Sequence, residues 1–300
     1  MANLVERGEG PWPITNDETS VRDWFVLRIN SGVEKGEVLP VVGVCLDFVS
    51  QKGRGERMME GFRYSESLID RLALIGVGLA EGKPVQYVLS SAHFDGLDLF
   101  VDFNVLIPRP ETEEIVFAVV ERLREGFSGR VLDIGTGSGC IALSLKNRMP
   151  EMEVFATDFS ESALKVALRN ADSYNLKVAF ECSDMLSEVP FKGQSFDAVV
   201  SNPPYIPTIE MNSMSSTVVE HEPSMALFVP DAEPLIFYQA IINHCESEVL
   251  LPGGFMALEC HEDFTEDVKE LIVSGMGFST VEIAVDMQGK NRHVIAVKNV

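Results

Sequence analysis

The chain has 300 residues, of which 46% are hydrophobic, and its formal net charge is −22. A chain of this length can bury a full core, in one large domain and a smaller one. The charge makes nucleic-acid binding unlikely, because proteins that grip a phosphate backbone normally present a basic face. The acidity suits electrostatic attraction to a basic protein partner. It equally suits a protein kept soluble by its charge, or one from a salty habitat.

The composition also bears on compartment and metal binding. The five cysteines are scattered and form no Cys-x-x-Cys pair, so neither a disulfide framework nor a zinc site is predicted. The first residues lack the apolar core of a signal peptide, and the longest apolar stretch, 72–80, is too short to span a bilayer. His261 lies near two glutamates, but a solvated loop explains it better than a metal site. We expect a cytoplasmic protein without membrane association or a bound metal.

The first 82 residues lack the regular strand–helix alternation that appears later, and we predict a separate, mainly helical N-terminal domain over 1–82. Apolar residues at helical spacing predict helices over 17–30 and 65–81, the first with Ser20 or Thr19 as its N-cap.

Two stretches follow less clear patterns. The apolar run 38–49 is left unassigned, because a proline and a glycine interrupt it. Residues 83–110 are predicted to form a β-hairpin linker, since 86–104 alternate in polarity and Asp95-Gly96 is a suitable turn.

Residues 111–300 form the regular part of the chain. An amphipathic helix over 113–124 precedes strand–helix units that argue for a parallel sheet with helices on both faces. The predicted strands are 130–134, 154–158, 178–180, 196–201, 255–259, 281–285 and 293–297.

A glycine-rich turn, Gly135-Thr136-Gly137-Ser138-Gly139, follows the first of these strands. Its glycines allow a sharp turn and a close approach to a ligand. Asp158 ends the next strand, roughly 20 residues further on, where an acid hydrogen-bonds a ribose hydroxyl. Asp184 and Met185 follow the third strand. Glycines and an acid alone are shared with NAD-binding domains, although the spacing here is GxGxG and not GxGxxG.

Asn202-Pro203-Pro204-Tyr205 follow the fourth strand, at the edge where ligands bind in open α/β sheets. The Asn side-chain carbonyl and the next backbone carbonyl can accept the two N–H protons of an amide or an exocyclic amine. The prolines stiffen the loop and leave no N–H to compete, and the tyrosine ring offers a surface for a flat group. This segment suits transfer to a planar nitrogen; its alternative is a proline-rich turn.

The order of glycines, acid and Asn-Pro-Pro-Tyr resembles the class I S-adenosylmethionine-dependent methyltransferases. Three further stretches, 82–97, 105–113 and 222–227, resemble the PrmC/HemK family of release factor glutamine methyltransferases. So does 252–259, which contains Pro-Gly-Gly-Phe and Leu-Glu. The resemblance covers about residues 82–300 and fades before them.

The resemblance implies a fold and a reaction. The fold is α/β, with a Rossmann-like seven-stranded sheet that is mostly parallel with an antiparallel edge, beside the helical domain and the hairpin linker. The reaction transfers a methyl group from S-adenosylmethionine to the side-chain amide nitrogen of the glutamine in the Gly-Gly-Gln motif of peptide chain release factors, leaving S-adenosylhomocysteine.

The resemblance also implies site residues. Gly135, Thr136, Gly137, Ser138 and Gly139 would line the cofactor. Asp158 would bind its ribose, Asp184 and Met185 would lie beside the adenine, and Asn202 would also border it. Asn202, Pro203 and Pro204 would hold the glutamine amide, with Tyr205 packed on it.

Some alternatives stay open at this stage. Arg109 and Glu111 would either shape the pocket wall or form a structural ion pair. The substrate could instead be a glutamine of a ribosomal protein, or an adenine of DNA or RNA. A non-catalytic nucleotide-binding module would have no use for Asn202 to Tyr205.

Overall fold

A computed structural model of the chain describes residues 10–300. They cluster into two compact units, one comprising the described residues up to Ser91 together with Ser216–His221, the other Ala92–Ser215 together with Glu222–Val300. The expectation about a signal peptide concerns residues outside the described part. Within residues 10–300, no helix combines the length and apolar character needed to cross a membrane.

The smaller unit is helical. Its helices are α1 Glu18–Ile29, α2 Val38–Ser50, α3 Arg54–Glu60, α4 Glu66–Ala80, α5 Val85–Leu89 and α9 Ser216–His221. Apolar residues of α1, α2 and α4, among them Phe25, Leu46 and Leu72, are fully buried together and form the core of this unit. The two helices predicted from periodicity are confirmed as α1 and α4.

Two local predictions for this unit need correction, and one run left unassigned takes a definite structure. The N-cap of α1 is Asp17, whose carboxylate accepts from the Ser20 backbone N–H at 3.1 Å, so the choice of Ser20 or Thr19 was wrong. The unassigned run is α2, in which Pro40 lies in the first turn, where a missing N–H costs no helical hydrogen bond. Residues 85–89 are helical and do not extend a hairpin, because Pro84 starts a helical turn there.

Residues 51–57 contain three basic side chains close together in the sequence, and two of them form ion pairs within the smaller unit. Arg57 is 1% exposed and donates to both carboxylate oxygens of Glu18 at 3.0 Å, and it also pairs with Asp47. Lys52 pairs with two glutamates of α3. Two of the three basic side chains of this stretch therefore have acidic partners.

The larger unit begins with a short hairpin and continues as alternating strands and helices. The hairpin is β1 Ala92–Phe94 and β2 Leu97–Leu99, with Asp95 and Gly96 at φ 48° and 79° as its turn. The turn predicted for the hairpin, Asp95-Gly96, is thus confirmed. The helices are α6 Pro110–Arg122, α7 Cys140–Arg148, α8 Glu161–Tyr174, α10 Ile236–His244 and α11 Thr265–Gly275.

Seven strands form one sheet. They are β3 Arg130–Ile134, β4 Glu153–Asp158, β5 Val178–Cys182, β6 Phe196–Ser201, β9 Leu250–Glu259, β10 Phe278–Val285 and β11 Asn291–Lys298, and two short strands, β7 Ile206–Pro207 and β8 Phe228–Val229, pair separately. The order in the sheet is β10-β11-β9-β6-β3-β4-β5. Only β11 runs against both of its neighbours; β9, β6, β3, β4 and β5 are parallel. The predicted fold class is confirmed.

Both faces of the sheet are covered by helices. Val131 and Ala198 pack with residues of α6 and α7 on one face. Leu132 and Val199, one position further along, pack with α10 and α11 on the other. Since side chains alternate across a strand, the near-continuous apolar runs follow from burial on both sides. The carboxyl ends of the parallel strands then meet at one edge.

Candidate active site

The glycine turn leaves β3 in a conformation that only glycine adopts readily. Gly137 has φ +55° with open space where a side chain would stand, and Gly139 has φ +85° at the start of α7. A Cβ on Gly139 would lie 3.1 Å from Leu143 and 3.3 Å from Ala167. Gly135 and Gly137 border a cavity, as the sequence predicts.

The two polar residues of this turn point elsewhere. Thr136 is buried, and its hydroxyl donates to Asp133 Oδ2 at 2.6 Å. Ser138 is also buried, and its carbonyl accepts from the Asn170 amide at 2.9 Å. Burial raises the pKa of Asp133 to about 7, against the hydrogen bond from Thr136. The cavity is therefore not lined by Thr136, Ser138 or Gly139, which contribute to the conformation of the turn.

Asp158 ends β4 beside the glycines and faces the cavity. Its two oxygens accept backbone N–H groups, Oδ2 from Gly137 at 2.8 Å and Oδ1 from Ser160 at 2.9 Å. Burial raises the pKa of this carboxyl above its ordinary value, and the two hydrogen bonds oppose the rise. The carboxylate is held by the backbone and keeps further lone pairs for a ligand.

Asp184 and Met185 follow β5 and also line the cavity. The Asp184 carboxylate is engaged locally, accepting from the Leu186 N–H and the Ser187 hydroxyl at 3.0 Å each. The Met185 carbonyl lies 2.8 Å from His244 Nε2. These contacts hold the turn so that Met185 and Leu186 face the cavity with apolar surface.

The cavity has a volume of about 390 Å³ and lies wholly within the larger unit. Of the predicted residues, it is lined by Gly135, Gly137, Asp158, Asp184, Met185, Asn202 and Pro204. Sequence reasoning missed a further set, chiefly Asn104, Val105, Leu106, Phe159, Leu186, Pro223, Met225, Ala226, Phe228 and Phe237. Neither periodicity nor motif chemistry assigns these residues to the site, because they lie on loops, on β8 or on α10, which only the fold brings to the sheet edge.

Asn202 is the polar side chain of the Asn-Pro-Pro-Tyr loop that reaches the cavity. Its Nδ2 donates to Thr112 Oγ1 at 3.1 Å, which leaves Oδ1 as the atom of this amide that can accept from a ligand. Pro203 is buried, and Pro204 lines the wall of the cavity. The loop thus presents a carbonyl oxygen with its direction set by a fixed partner.

Tyr205 does not line the cavity. Its hydroxyl donates to Glu259 Oε1 at 3.2 Å, and its ring centroid lies 6.1 Å from that of His261. Burial, followed by the charge of Glu259, raises the pKa of Tyr205 far above its ordinary value. Glu259 is 1% exposed, and sequence reasoning did not name it as a site residue.

Arg109 and Glu111 do not pair with each other. Arg109 donates to Glu222 Oε1 at 2.6 Å, and the Ile107 N–H donates to Oε2 at 3.1 Å. Glu111 instead accepts from the Gln288 amide at 3.2 Å. The Arg109–Glu222 pair ties the segment before α6 to the loop after Glu222, and both segments contribute cavity residues.

His261 lies 3.3 Å from Glu210. Within the described part of the chain, no group of three His, Cys, Asp or Glu side chains is arranged to hold a metal ion.

The sheet order, the glycine turn and the cavity define a methyltransferase domain. Residues 117–222 match the family model described as "Methyltransferase small domain". The solved "delta-N METTL16 MTase domain" is 19% identical, covers 68% of this chain and 89% of that one, and has a TM-score of 0.50. This likeness shows a shared fold.

The family follows from closer relatives. The release factor glutamine methyltransferase of Bacteroides thetaiotaomicron is 39% identical over 218 residues, which is 73% of this chain and 77% of that protein. That of Bacillus cereus is 39% identical over 219 residues, 72% of this chain and 77% of that protein. The chain belongs to the release factor glutamine methyltransferase family, and the family predicted from the motifs is confirmed. It is a methyltransferase.

Proposed function

We propose that this enzyme transfers a methyl group from S-adenosylmethionine to the side-chain amide nitrogen, N5, of the glutamine in the Gly-Gly-Gln motif of peptide chain release factors, with S-adenosylhomocysteine as the second product. Family membership supports the substrate class. The observation that carries the chemistry is the orientation of Asn202, whose Nδ2 is held by Thr112 while Oδ1 remains for the cavity.

An amide nitrogen is a poor nucleophile, because its lone pair is delocalised into the carbonyl. The Asn202 oxygen and the Pro203 carbonyl accept its two N–H protons, so that the amide is fixed and its nitrogen faces the methyl donor. Holding two reacting groups in line removes much of the entropic barrier to transfer. The packing of Tyr205 on the glutamine amide stays a prediction.

The residues around the cavity suit the cofactor. Gly135 and Gly137 bring bare backbone to it, and Asp158 offers carboxylate lone pairs to ribose hydroxyls. Phe159 and Met185 supply apolar surface for a flat base. S-adenosylmethionine supplies an electrophilic methyl group on a sulfonium, and Asp184 would lie beside its adenine.

The loop supplies alignment and not a strong base. The raised pKa of Tyr205 keeps its phenol protonated near neutral pH, and its hydroxyl already donates its hydrogen bond to Glu259. Because the sulfonium is activated, no base is needed before transfer, and the extra proton leaves to water afterwards. The chain contributes a shaped site that aligns the amide nitrogen with the methyl group.

The remaining parts of the proposal concern the partner and the domains. The net charge of −22 would attract a basic protein such as a factor that binds ribosomal RNA. We place substrate recognition in the N-terminal domain, 1–82, joined by the linker 83–110 to the methyltransferase domain, 111–300. A cytoplasmic location would follow from a role in translation termination.

The test is methyl transfer from labelled S-adenosylmethionine to purified release factor. A release factor with Gln→Ala in its Gly-Gly-Gln motif, a ribosomal protein and adenine-containing DNA serve as parallel acceptors. We expect label on the release factor that is lost in the Gln→Ala factor, with the added mass located on that glutamine by peptide mass spectrometry. Label on DNA or on ribosomal protein alone would overturn the substrate and keep the cofactor.

A further inference from the structure

Helix α8 contacts the hairpin through two polar side chains that lie one helical turn apart. The Asn170 amide accepts from the Phe100 backbone N–H at 2.7 Å and donates to the Phe100 carbonyl at 2.9 Å. The Tyr174 hydroxyl repeats this pattern, since it accepts from the Asp98 N–H at 2.6 Å and donates to the Asp98 carbonyl at 3.1 Å. Four residues of a helix and two residues of a strand span about 6 Å and about 6.6 Å, so both pairs form together.

Asn170 also has a third partner, in the glycine turn. Its Nδ2 donates to the Ser138 carbonyl at 2.9 Å, and the side chain is 1% exposed. Among residues 10–300, the Ser138 carbonyl and the N–H and carbonyl of Phe100 have no other hydrogen-bond partner. Loss of this amide would leave three backbone groups unpaired, which is costly where they are shielded from water.

The three partners fix the orientation of the Asn170 amide. The Phe100 N–H can only donate, so it faces Oδ1, and the carbonyls of Phe100 and Ser138 can only accept, so they face Nδ2. A serine or threonine hydroxyl has one proton and cannot donate to both carbonyls, and an aspartate carboxylate cannot donate to either. The amide of asparagine supplies the one acceptor and two donors that this position requires.

The Ser138 carbonyl belongs to the peptide group that leads into Gly139. The N–H of the same peptide group donates to the Thr136 carbonyl at 2.8 Å, so both of its ends are bound. Helix α8 also packs closely at this point, since a Cβ on Gly139 would lie 3.3 Å from Ala167, which is one turn before Asn170. The conformation of the glycine turn is therefore fixed by contacts with α8.

Phe100 precedes the segment that lines the cavity with Asn104, Val105 and Leu106. A hydrogen-bonded turn joins them: the Asp102 carboxylate accepts from the Asn104 N–H at 2.9 Å, and the Asp102 carbonyl accepts from the Val105 N–H at 3.1 Å. Because this connection is short and internally bonded, the place of Phe100 determines where the three cavity residues lie.

We propose that Asn170 is a positioning residue for binding of the methyl donor: it joins the glycine turn to segment 100–106 and keeps these two parts of the cavity lining in one relative position. The inference rests on the proposed function, in which S-adenosylmethionine occupies this cavity. Asn170 does not line the cavity, so it acts on the ligand through the two backbone segments that it binds. A ligand that contacts both segments binds more tightly when they are already held in place.

The first test is Asn170→Asp, which has nearly the same shape and keeps the acceptor for the Phe100 N–H. It replaces two donated hydrogen bonds by contacts between acceptors, so we expect the Kd for S-adenosylmethionine, measured by calorimetry, to rise about 20-fold. In methyl transfer to release factor, KM for S-adenosylmethionine should rise by a similar factor. The value of kcat at saturating donor should stay within about threefold of wild type, because the Asn202 loop is unchanged.

Tyr174→Phe is the matched control. It removes both hydrogen bonds to Asp98, which lies in the same hairpin, and it leaves the bond to the glycine turn intact. We expect a lower urea midpoint, with the Kd for S-adenosylmethionine within about twofold of wild type. An affinity loss confined to position 170 would then come from the link to the glycine turn and not from a loosened hairpin.

A variant that folds poorly can still be tested. Asn170→Ser keeps a hydroxyl at this position and should raise the Kd by about fivefold, less than Asn170→Asp. A ligand that binds only the folded state raises the melting temperature according to its Kd, so the shift on adding S-adenosylmethionine reports binding even in a destabilised protein. We expect this shift to decrease from wild type to Asn170→Ser to Asn170→Asp.

The outcomes separate this inference from the proposed function. An unchanged Kd in both Asn170 variants, or a lower kcat with an unchanged KM, would overturn the inference and leave Asn170 with a role in folding alone. An equal rise of the Kd in Tyr174→Phe would overturn it as well. A wild-type protein that binds no S-adenosylmethionine would overturn the proposed function instead.

Discussion

Each unit of this protein contains a glutamate that accepts a hydrogen bond from a tyrosine hydroxyl, and the pKa values of the two glutamates shift in opposite directions. In the smaller unit, Tyr64 donates to Glu18 at 2.7 Å. In the larger unit, Tyr205 donates to Glu259 at 3.2 Å. Burial opposes the charged form of both. The pKa of Glu18 nevertheless lies below its ordinary value, and that of Glu259 is raised to about 7.

The difference comes from a cation. Arg57 binds both oxygens of Glu18, and these hydrogen bonds outweigh the effect of burial. The Glu259 carboxylate accepts from the Tyr205 hydroxyl, and no cation in the described part of the chain forms an ion pair with it, so burial prevails. A buried glutamate that is bound by a bidentate arginine keeps its charge, whereas burial without such a partner brings the pKa of Glu259 near neutrality.

The largest effect is expected from removing that cation. Arg57→Met leaves Glu18 and Asp47 without their partner and should lower the free energy of unfolding by about 3 kcal/mol at neutral pH, measured by urea denaturation. The pKa of Glu18 is lower in the folded chain than in the unfolded chain, so its ionised form stabilises the fold at pH values above the unfolded pKa. This contribution is lost as the carboxylate is protonated in acid, and the difference between the variant and wild type should shrink as pH falls toward about 4. Arg63→Met is the control, since its pair with Asp17 is exposed, and should cost under about 0.5 kcal/mol. Equal losses in both variants would contradict the comparison.

The next effect concerns the Asn-Pro-Pro-Tyr loop of the larger unit. Asn202→Ala removes the acceptor oxygen and should lower kcat about 100-fold, with the affinity for S-adenosylmethionine much less affected. Steady-state kinetics and calorimetry separate the two quantities. Asn243→Ala, at an exposed position of α10, should leave both unchanged. Full activity of Asn202→Ala would remove the basis of the mechanism.

A third effect extends the comparison to another glutamate. Glu222 resembles Glu18 in having an arginine partner, so Arg109→Met should destabilise the larger unit by about 2 kcal/mol, because Glu222 is 1% exposed and would lose its counter-charge. Arg122→Met is closely matched, since both arginine side chains are 33% exposed, but its partner Glu282 is 58% exposed. We expect that variant to lose about 0.5 kcal/mol in the same urea titration. A larger loss of stability in Arg122→Met than in Arg109→Met would show that burial of the glutamate partner does not determine the stability contributed by these pairs.

The smallest effect is expected at a carboxylate held by backbone alone. Asp158→Ala removes the proposed ribose contact and should weaken S-adenosylmethionine binding about tenfold by calorimetry. Asp172→Ala, at an exposed position of α8, is the control. An unchanged affinity in Asp158→Ala would place the ribose contact elsewhere.

Much of the fold could be predicted from local patterns. All seven strands of the sheet and helices α1 and α4 match segments whose apolar spacing repeats at the period of the element. The predictions failed where a single residue decides: Asp17 caps α1 because its carboxylate reaches Ser20, and Pro40 is harmless because it falls in the first turn of α2. The boundaries at 82 and 110 stay predictions.

The site was predictable only in part. Gly137, Asp158 and Asn202 could be named because each ends or follows a strand whose carboxyl edge carries ligands. Phe159, Met225 and Phe237 could not, because they reach the cavity from loops and from α10. Glu222 and Glu259 belong to recognised stretches, yet nothing in their spacing tells which partners they have.

The sequence by itself determined the parallel sheet, the glycine turn and the amide-binding loop, since each depends on neighbours a few residues apart. Only the tertiary structure decided that Arg57 lies 39 positions from the carboxylate it binds, and that Thr112 lies 90 positions from Asn202. Burial and the partners available there set the charge of Glu18 and of Glu259. These are properties of assembled neighbours, and a linear pattern does not contain them.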